Sequence, residues 1–257
     1  MSTLALILLA TAACGVFSAL LASSFLALPA PRRNALVPHL VSFATGALLG
    51  AALLALLPHA LESAAGAHGI GLALAVGIVG FFVLEKFVLW RHCHADHCEA
   101  HGPMEHHRAK ASATLILWGD AFHNTIDGVL IAAAFLTDVH LGIVTAIAVF
   151  AHEIPQEVGD LAVLLNGGMS RRRALWLNVA VSLTSVAGAV IAYYLLAQAM
   201  AALPYALAFA AASFIYVAVA DLIPGLHRRV DARSSAGQVA MIAAGMLLIA
   251  VSHGWAH

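Results

Sequence analysis

Long apolar runs separated by short polar connections make up most of the chain. A helix needs about 20 apolar residues to cross the hydrocarbon core of a bilayer. Runs of that length occupy residues 4–28, 36–58, 69–90, 112–136, 140–166, 174–198, 204–224 and 236–255. The pattern predicts an all-α integral membrane protein with eight transmembrane helices, which form a single domain over residues 1–257.

The composition supports a lipid bilayer as the surroundings of these helices. Of the 257 residues, 62% are hydrophobic and 10% are charged, whereas soluble domains carry about 25% charged residues. The net charge of −1, without a basic face bearing aromatic residues, argues against a nucleic-acid partner. The first run lacks the basic start of a signal peptide, so we expect it to be a retained helix.

The basic residues predict the orientation, because cytoplasmic loops of membrane proteins are enriched in Lys and Arg. All 12 lie in or beside alternate connections. They are Arg32 and Arg33 after helix 1; Lys86, Arg91, Arg108 and Lys110 around the connection from helix 3 to helix 4; Arg171, Arg172 and Arg173 after helix 5; and Arg228, Arg229 and Arg233 after helix 7. We therefore expect these connections to be cytoplasmic and both termini extracytoplasmic. Short loops and a high alanine content suit a multi-pass protein of a bacterial inner membrane.

The fourth run carries polar residues at its centre, in the segment GDAFHNTID. Residues three or four apart share one face of a helix, so His123 stacks on Asp127, with Asp120 one turn before His123. Asn124 lies beside them and one turn after Asp120. One face of helix 4 is therefore expected to present carboxylate, imidazole and amide groups together.

The fifth run contains AHEIPQEVGD, the most polar segment of the predicted helices. It supplies His152, Glu153, Gln156, Glu157 and Asp160. His152, Gln156 and Asp160 are spaced four apart and form a line along the helix, and Glu153 and Glu157 lie next to that line. Pro155 has no N–H and would clash with the carbonyl of Ala151, so a kink is expected beside His152.

Both polar clusters lie near the bilayer midplane, where an acid costs about 2.5–3.5 kcal/mol. Five charged and unpaired acids would cost on the order of 12–17 kcal/mol, and these two helices offer no Lys or Arg to neutralise them. A divalent cation would do so, because His nitrogen and carboxylate oxygen are good zinc ligands and amide oxygens add neutral donors. Protonation of the acids is the other route.

HNTIDG in helix 4 and HEIPQEVGD in helix 5 resemble the paired signatures of the ZIP family of divalent-metal transporters, and especially the branch whose fifth helix reads HEIPHExGD. LLPHA in helix 2 and FIYVAVADLIPG in helix 7 are similar to further family segments. The resemblance implies that helices 4 and 5 lie between two inverted three-helix repeats, a 3+2+3 arrangement around a two-metal site. It implies His123, Asp127, His152 and Gln156 as ligands of the first position, and Asn124, Glu153 and Gln156 as ligands of the second.

Two departures from the family pattern affect this expectation. Gln156 stands where the similar branch has histidine. Some relatives place an acid in helix 6, whereas this chain offers Asn178, Ser182 and Ser185 there. The second metal position is therefore expected to be weaker than the first, or only a waypoint.

The connection over residues 91–110 is rich in histidine and is expected to be cytoplasmic. His92, Cys93, His94, His97 and Cys98 could surround one zinc ion. A solvated linker is the alternative interpretation. We favour a weak metal acceptor at the cytoplasmic exit.

Other polar residues are candidates for the route to and from the central site. They are His59 and Glu62 at the outer end of helix 2, Asp120, Glu157 and Asp160 in helices 4 and 5, and Asp221 near the inner end of helix 7. His253 and His257, at the outer end of helix 8, receive no role.

The resemblance implies a zinc-preferring transporter that moves divalent cations into the cytoplasm, and imidazole ligands favour zinc over manganese. Fe²⁺, Cd²⁺, Co²⁺ and Mn²⁺ are further candidate substrates. An intramembrane zinc hydrolase is the main alternative, because HEIPQ is similar to HExxH. A metal exporter would use the same ligands. The oligomeric state stays open, with a homodimer among the candidates.

Overall fold

The computed structural model describes residues 2–93, 105–166, 168–227 and 232–254. This part of the chain is folded into eight long helices joined by short connections, with no strand, which confirms the all-α class. The helices are α1 (Thr3–Leu26), α2 (Ala30–Leu61), α3 (Ala67–Cys93), α4 (Glu105–Thr137), α5 (Val139–Asn166), α6 (Arg171–Gln198), α7 (Met200–Leu226) and α8 (Ala232–Gly254).

Seven of the eight helices in the described ranges are long and apolar enough to cross a membrane. The exception is α4, which has ample length at 33 residues but whose centre is polar. The length of these helices and their apolar character support a helical integral membrane protein. The polar helix packs against α5 and α6.

The helices pack in a pattern that repeats within the fold. Helix α4 packs against α6 as α5 packs against α1, and α2 packs against α8 as α7 packs against α3. Exchanging α1 with α6, α2 with α7, α3 with α8 and α4 with α5 therefore converts each of these contacts into another. The two polar helices α4 and α5 also contact each other directly.

Two of the exchanged helices share a local irregularity. A π-helical segment occupies Ala51–Leu56 in α2, and another occupies Val217–Leu222 in α7. Each is followed after one residue by a proline, Pro58 or Pro224, which cannot donate to the carbonyl one turn earlier and would clash with it. Widening the preceding turn to π geometry relieves that clash, so the same sequence feature has the same structural effect in both helices.

Glycine allows α4 and α6 to approach at backbone contact. A Cβ atom on Gly128 would lie 1.8 Å from the carbonyl oxygen of Ser185, and one on Gly188 would lie 2.0 Å from the carbonyl oxygen of Thr125. Small residues of this kind are how membrane helices reach close packing. The two helices therefore cross in close contact at Gly128, within one turn of the polar residues of α4.

Helix α6 is interrupted at Leu183, between the segments Arg171–Ser182 and Thr184–Gln198, where the sequence predicts one continuous helix. The hydroxyl of Ser182 shares its one hydrogen between the carbonyl of Asn178 and the carboxylate of Glu157, and a hydroxyl bond to the preceding turn competes with the helix and bends it. The hydroxyl of Thr184 donates across to the carbonyl of Ala121 in α4 at 2.8 Å. The interruption therefore lies where α6 bonds to the polar helix.

Candidate metal site

Four side chains of α4 and α5 converge on one point. They are His123, Asp127, His152 and Glu153, and each offers a ligand atom within 4.8 Å of the others. His152 Nε2 lies 3.1 Å from Asp127 Oδ2 and 3.2 Å from His123 Nε2. The stacking of His123 on Asp127 is confirmed by the 3.5 Å between His123 Nε2 and Asp127 Oδ2.

The orientation of His152 is set by its own helix. Its Nδ1 lies 3.1 Å from the carbonyl oxygen of Ala148, one turn earlier. A carbonyl can only accept, so Nδ1 carries the hydrogen and a neutral His152 directs the lone pair of Nε2 toward Asp127 and His123. Two acceptor atoms, His152 Nε2 and Asp127 Oδ2, then face each other at 3.1 Å, an arrangement that a shared cation would stabilise.

Burial increases the need for such a cation. The side chains of Asp127, His152 and Glu153 are at most 2% exposed, whereas His123 is 23% exposed. The ring of Phe214 in α7 packs against His152 with centroids 6.1 Å apart and forms an apolar wall. Charge buried in such surroundings is costly unless it is paired, and His123 is the member through which the group reaches the surface.

A second polar group lies around Asp120, one turn before His123 in α4. Asp120 Oδ1 accepts hydrogen bonds from Asn124 Nδ2 at 2.8 Å and from Gln156 Nε2 at 3.1 Å. Asn124 Nδ2 also donates to the backbone carbonyl of Asp120 at 3.1 Å. The structure thus places Gln156 and Asn124 against the carboxylate of Asp120, which the sequence analysis assigned only to the transport route. Glu153, which was expected at the second metal position, lies in the group of four.

Glu157 lies on another side of α5 and is fully buried. Its carboxylate oxygens accept hydrogen bonds from Asn178 Nδ2 and Ser182 Oγ of α6. The sequence pointed to Asn178 and Ser182 only as residues standing where relatives carry an acid. Here they are the partners of an acid on the neighbouring helix, a pairing that spacing within one helix cannot reveal. Asp160, one turn further on, is partly exposed.

The remaining candidate residues of the transport route lie near helix ends. Glu62 and Asp221 are exposed, and His59 is partly buried with Nδ1 3.1 Å from the carbonyl oxygen of Ala55. The ring of His59 packs edge-on against His253 of α8, with centroids 5.3 Å apart. No role was predicted for His253, although both histidines end helices predicted to finish on the same membrane face.

The predicted loop site cannot be placed in the fold. His94, His97 and Cys98 lie outside the described residues, as do the side chains of His92 and Cys93 at the end of α3. The loop site therefore stays a prediction.

The chain is similar to proteins named as zinc transporters. The sequence profile described as ZIP Zinc transporter matches residues 91–253, which include both polar helices. The mouse zinc transporter SLC39A7 is 29% identical over 87% of this chain and 64% of its own length. Zinc transporter ZIP13 of Pongo abelii is 30% identical, with 82% of this chain and 65% of the relative covered. Human zinc transporter ZIP4 is 42% identical over 46% of this chain and 18% of its own length.

The chain thus spans just under two thirds of the length of the mouse SLC39A7 relative. These relatives are named as transporters, and the comparisons give no support to the alternative of an intramembrane hydrolase. The matched region also contains the histidine-rich connection and all four residues of the converging group.

Proposed function

The chain belongs to the ZIP zinc transporter family, and we propose that it moves divalent cations, with zinc preferred, across a membrane into the cytoplasm. The family is one of transporters and not of enzymes. Fe²⁺, Cd²⁺, Co²⁺ and Mn²⁺ are proposed as weaker substrates, because imidazole suits zinc while harder ions prefer sites made only of oxygen.

The observation that carries this proposal is the convergence of His123, Asp127, His152 and Glu153 from α4 and α5. Two imidazoles and two carboxylates form a donor set typical of zinc, and the two acids balance the charge of one divalent ion. Interhelical packing alone would not require two imidazole Nε2 atoms and a carboxylate to face one another in a buried position. We assign the first metal position to these residues.

Gln156 and Asn124 are proposed to contribute their amide oxygens, as the family pattern implies. Their NH₂ groups donate to Asp120, so each oxygen remains a neutral donor. Together with Glu153 they would form the second metal position. Neutral donors coordinate a cation but raise the affinity of the site less than charged donors would. That suits a transport site, because the site must also release its substrate.

We further propose that all eight helices cross the membrane in a 3+2+3 arrangement. The exchange symmetry of the helix contacts and the matching π-helical segments before Pro58 and Pro224 support two inverted three-helix repeats around α4 and α5. The location of every Lys and Arg in or beside alternate connections supports extracytoplasmic termini, and a bacterial inner membrane suits the short loops.

The route through the protein follows from that orientation. His59 and Glu62 would meet the cation at the outer surface, and the partly exposed His123 would receive it. Asp160 and Asp221 would lie along the inner half of the route, and the histidine-rich connection would accept the cation in the cytoplasm. Glu157 accepts hydrogen bonds from α6 and would contribute to the route by holding α5 in position.

Zinc flux in sided membrane vesicles tests this function. Right-side-out vesicles that contain the protein should accumulate zinc along an inward gradient faster than vesicles from cells that lack it. Competition by Cd²⁺, Co²⁺, Fe²⁺ and Mn²⁺ would rank the substrates. Movement confined to the opposite direction would instead favour an exporter, and no zinc movement in either direction would refute transport.

A further inference from the structure

The second metal position lacks charge if only the residues implied by the family pattern are counted. Of Asn124, Glu153 and Gln156, only Glu153 is ionisable. A single carboxylate leaves a divalent cation with an uncompensated charge in a low-dielectric interior, which is costly. Glu153 is also counted with Asp127 at the first position, so another buried acid close to these residues would reduce that cost.

Asp120 lies where such an acid is needed. It is 5% exposed, and its Oδ1 accepts from the side chains of both Asn124 and Gln156, at 2.8 and 3.1 Å. Glu153 lies one turn before Gln156 in α5, on the same face of the helix. Asp120 thus touches two members of the second position, and one of them shares a helix face with the third, although Asp120 is not part of the converging group of four.

The two hydrogen bonds to Oδ1 determine what the other carboxylate oxygen can do. Two donors on Oδ1, one from each polar helix, fix the carboxylate in one orientation. Among the residues that the structure describes, Asp120 Oδ2 and both carboxylate oxygens of Glu153 are buried without a hydrogen-bond partner. Buried charged oxygens are rarely left in that condition unless they bind an ion or water.

We propose that Asp120 is a metal-binding residue, whose Oδ2 and the carboxylate of Glu153 bind a second divalent cation. Asn124 and Gln156 position Asp120 by holding Oδ1, and their amide oxygens can serve as further neutral donors. Gln156 is then suited to this chain because its NH₂ group donates to the acid that completes the site. The inference rests on the proposed transport function and adds a residue to its central site.

The variant Asp120→Asn distinguishes the roles of the two carboxylate oxygens of Asp120. The amide oxygen of the new side chain would still accept from Asn124 and Gln156, and those two donors disfavour the flipped orientation. The position of Oδ2 would be taken by an NH₂ group, which cannot bind a metal ion. The exposed Asp138, between α4 and α5, provides a matched control as Asp138→Asn, because Asn caps a helix about as well as Asp.

Zinc and cadmium titrations by calorimetry on the full chain in detergent test the proposal. Asp120→Asn is expected to bind one equivalent fewer than the wild type, or to bind that equivalent at least tenfold more weakly. The other equivalents should stay within about threefold of the wild type, and the melting temperature of the metal-free protein should be unchanged. Gln156→Met, which removes the donor to Oδ1, is expected to weaken the same equivalent by about 10–100-fold, as losses of positioning partners do.

Unchanged zinc and cadmium binding by Asp120→Asn would overturn the proposal. So would the joint loss of all high-affinity binding in Asp120→Asn with its melting temperature preserved, because Asp120 would then belong to the first position. Binding is measured apart from flux, so a wild-type protein that binds zinc but moves none would refute the transport function and leave this inference intact.

Discussion

The α4–α6 crossing makes a strong prediction about how tightly the polar helix must be held. In Gly128→Ala the new Cβ would lie 1.8 Å from the carbonyl oxygen of Ser185, and Cβ contacts below 3.0 Å are essentially absent from real structures. The helices must therefore separate by about 1.2 Å. Overpacking of this kind costs about 1–3 kcal/mol. Gly128 follows Asp127 directly, so the displacement also reaches a metal ligand.

Gly119→Ala is the matched control, because Gly119 lies in the same helix and a Cβ there meets no atom within 4 Å. Alanine favours a helix over glycine by about 1 kcal/mol, so this control should be neutral or slightly stabilising. Thermal unfolding of the purified proteins in detergent gives the comparison, and zinc titration reports the site. We expect Gly128→Ala to lower the melting temperature and zinc affinity together. A Gly128→Ala protein as stable and as tight-binding as Gly119→Ala would refute the close crossing.

Three further predictions concern selectivity, the cap of α5 and the loop. Gln156→His should shift competition toward zinc and away from manganese by adding an imidazole, and an unchanged ratio would contradict the role of the amide. Asp138→Ala should destabilise the fold by about 1 kcal/mol at pH 7, because Asp138 caps α5. Burial raises the pKa of Asp138, but hydrogen bonds from the backbone N–H groups of Leu141 and His140 lower it overall, so the part of this contribution that depends on the carboxylate charge should be lost as the pH falls through that depressed pKa. An effect in unfolding measurements that is equal at pH 7 and pH 2 would contradict it. Replacing His92, Cys93, His94, His97 and Cys98 together with Ala should alter the transport rate but leave zinc titration of the central site unchanged, and loss of that binding would contradict a separate loop site.

The helices and the core of the site were predictable because each rests on a strong local pattern. Apolar length marks the membrane helices, and three- and four-residue spacing places His123 on Asp127. The meeting of His152 with that pair was anticipated only through the family resemblance. Two polar helices can face each other in many registers, and spacing within one helix does not choose among them.

The pairings of polar side chains could not be predicted from the sequence, because they depend on contacts between helices. The donation from Gln156 to Asp120 and the pairing of Glu157 with Asn178 require the registers of α4, α5 and α6 to be known. The expected kink at Pro155 is accommodated within α5, which continues from Val139 to Asn166. Neighbouring helices can support a proline inside a membrane helix, and that support is absent from any local pattern.

LLPHALE (residues 56–62) in α2 is similar to DLIPGLH (residues 221–227) in α7, but the match is too short to establish a repeat by itself. In the structure, both segments contain the proline that follows a π-helical stretch, and their helices make corresponding contacts. A proline one residue after an apolar stretch was thus a usable signal for the irregular turns. Its meaning became apparent only when the two helices could be compared in three dimensions.

Zinc uptake by His123→Ala and Glu153→Ala shows whether the cation passes through the converging group of α4 and α5. His68→Ala is the control, because His68 is an exposed histidine at the start of α3, away from the converging group. Uptake of radioactive zinc is measured in vesicles that contain equal amounts of inserted protein. Uptake by both site variants is expected to fall to the level of empty vesicles, while His68→Ala retains wild-type uptake. Normal uptake by either site variant would contradict a transport route through this metal site.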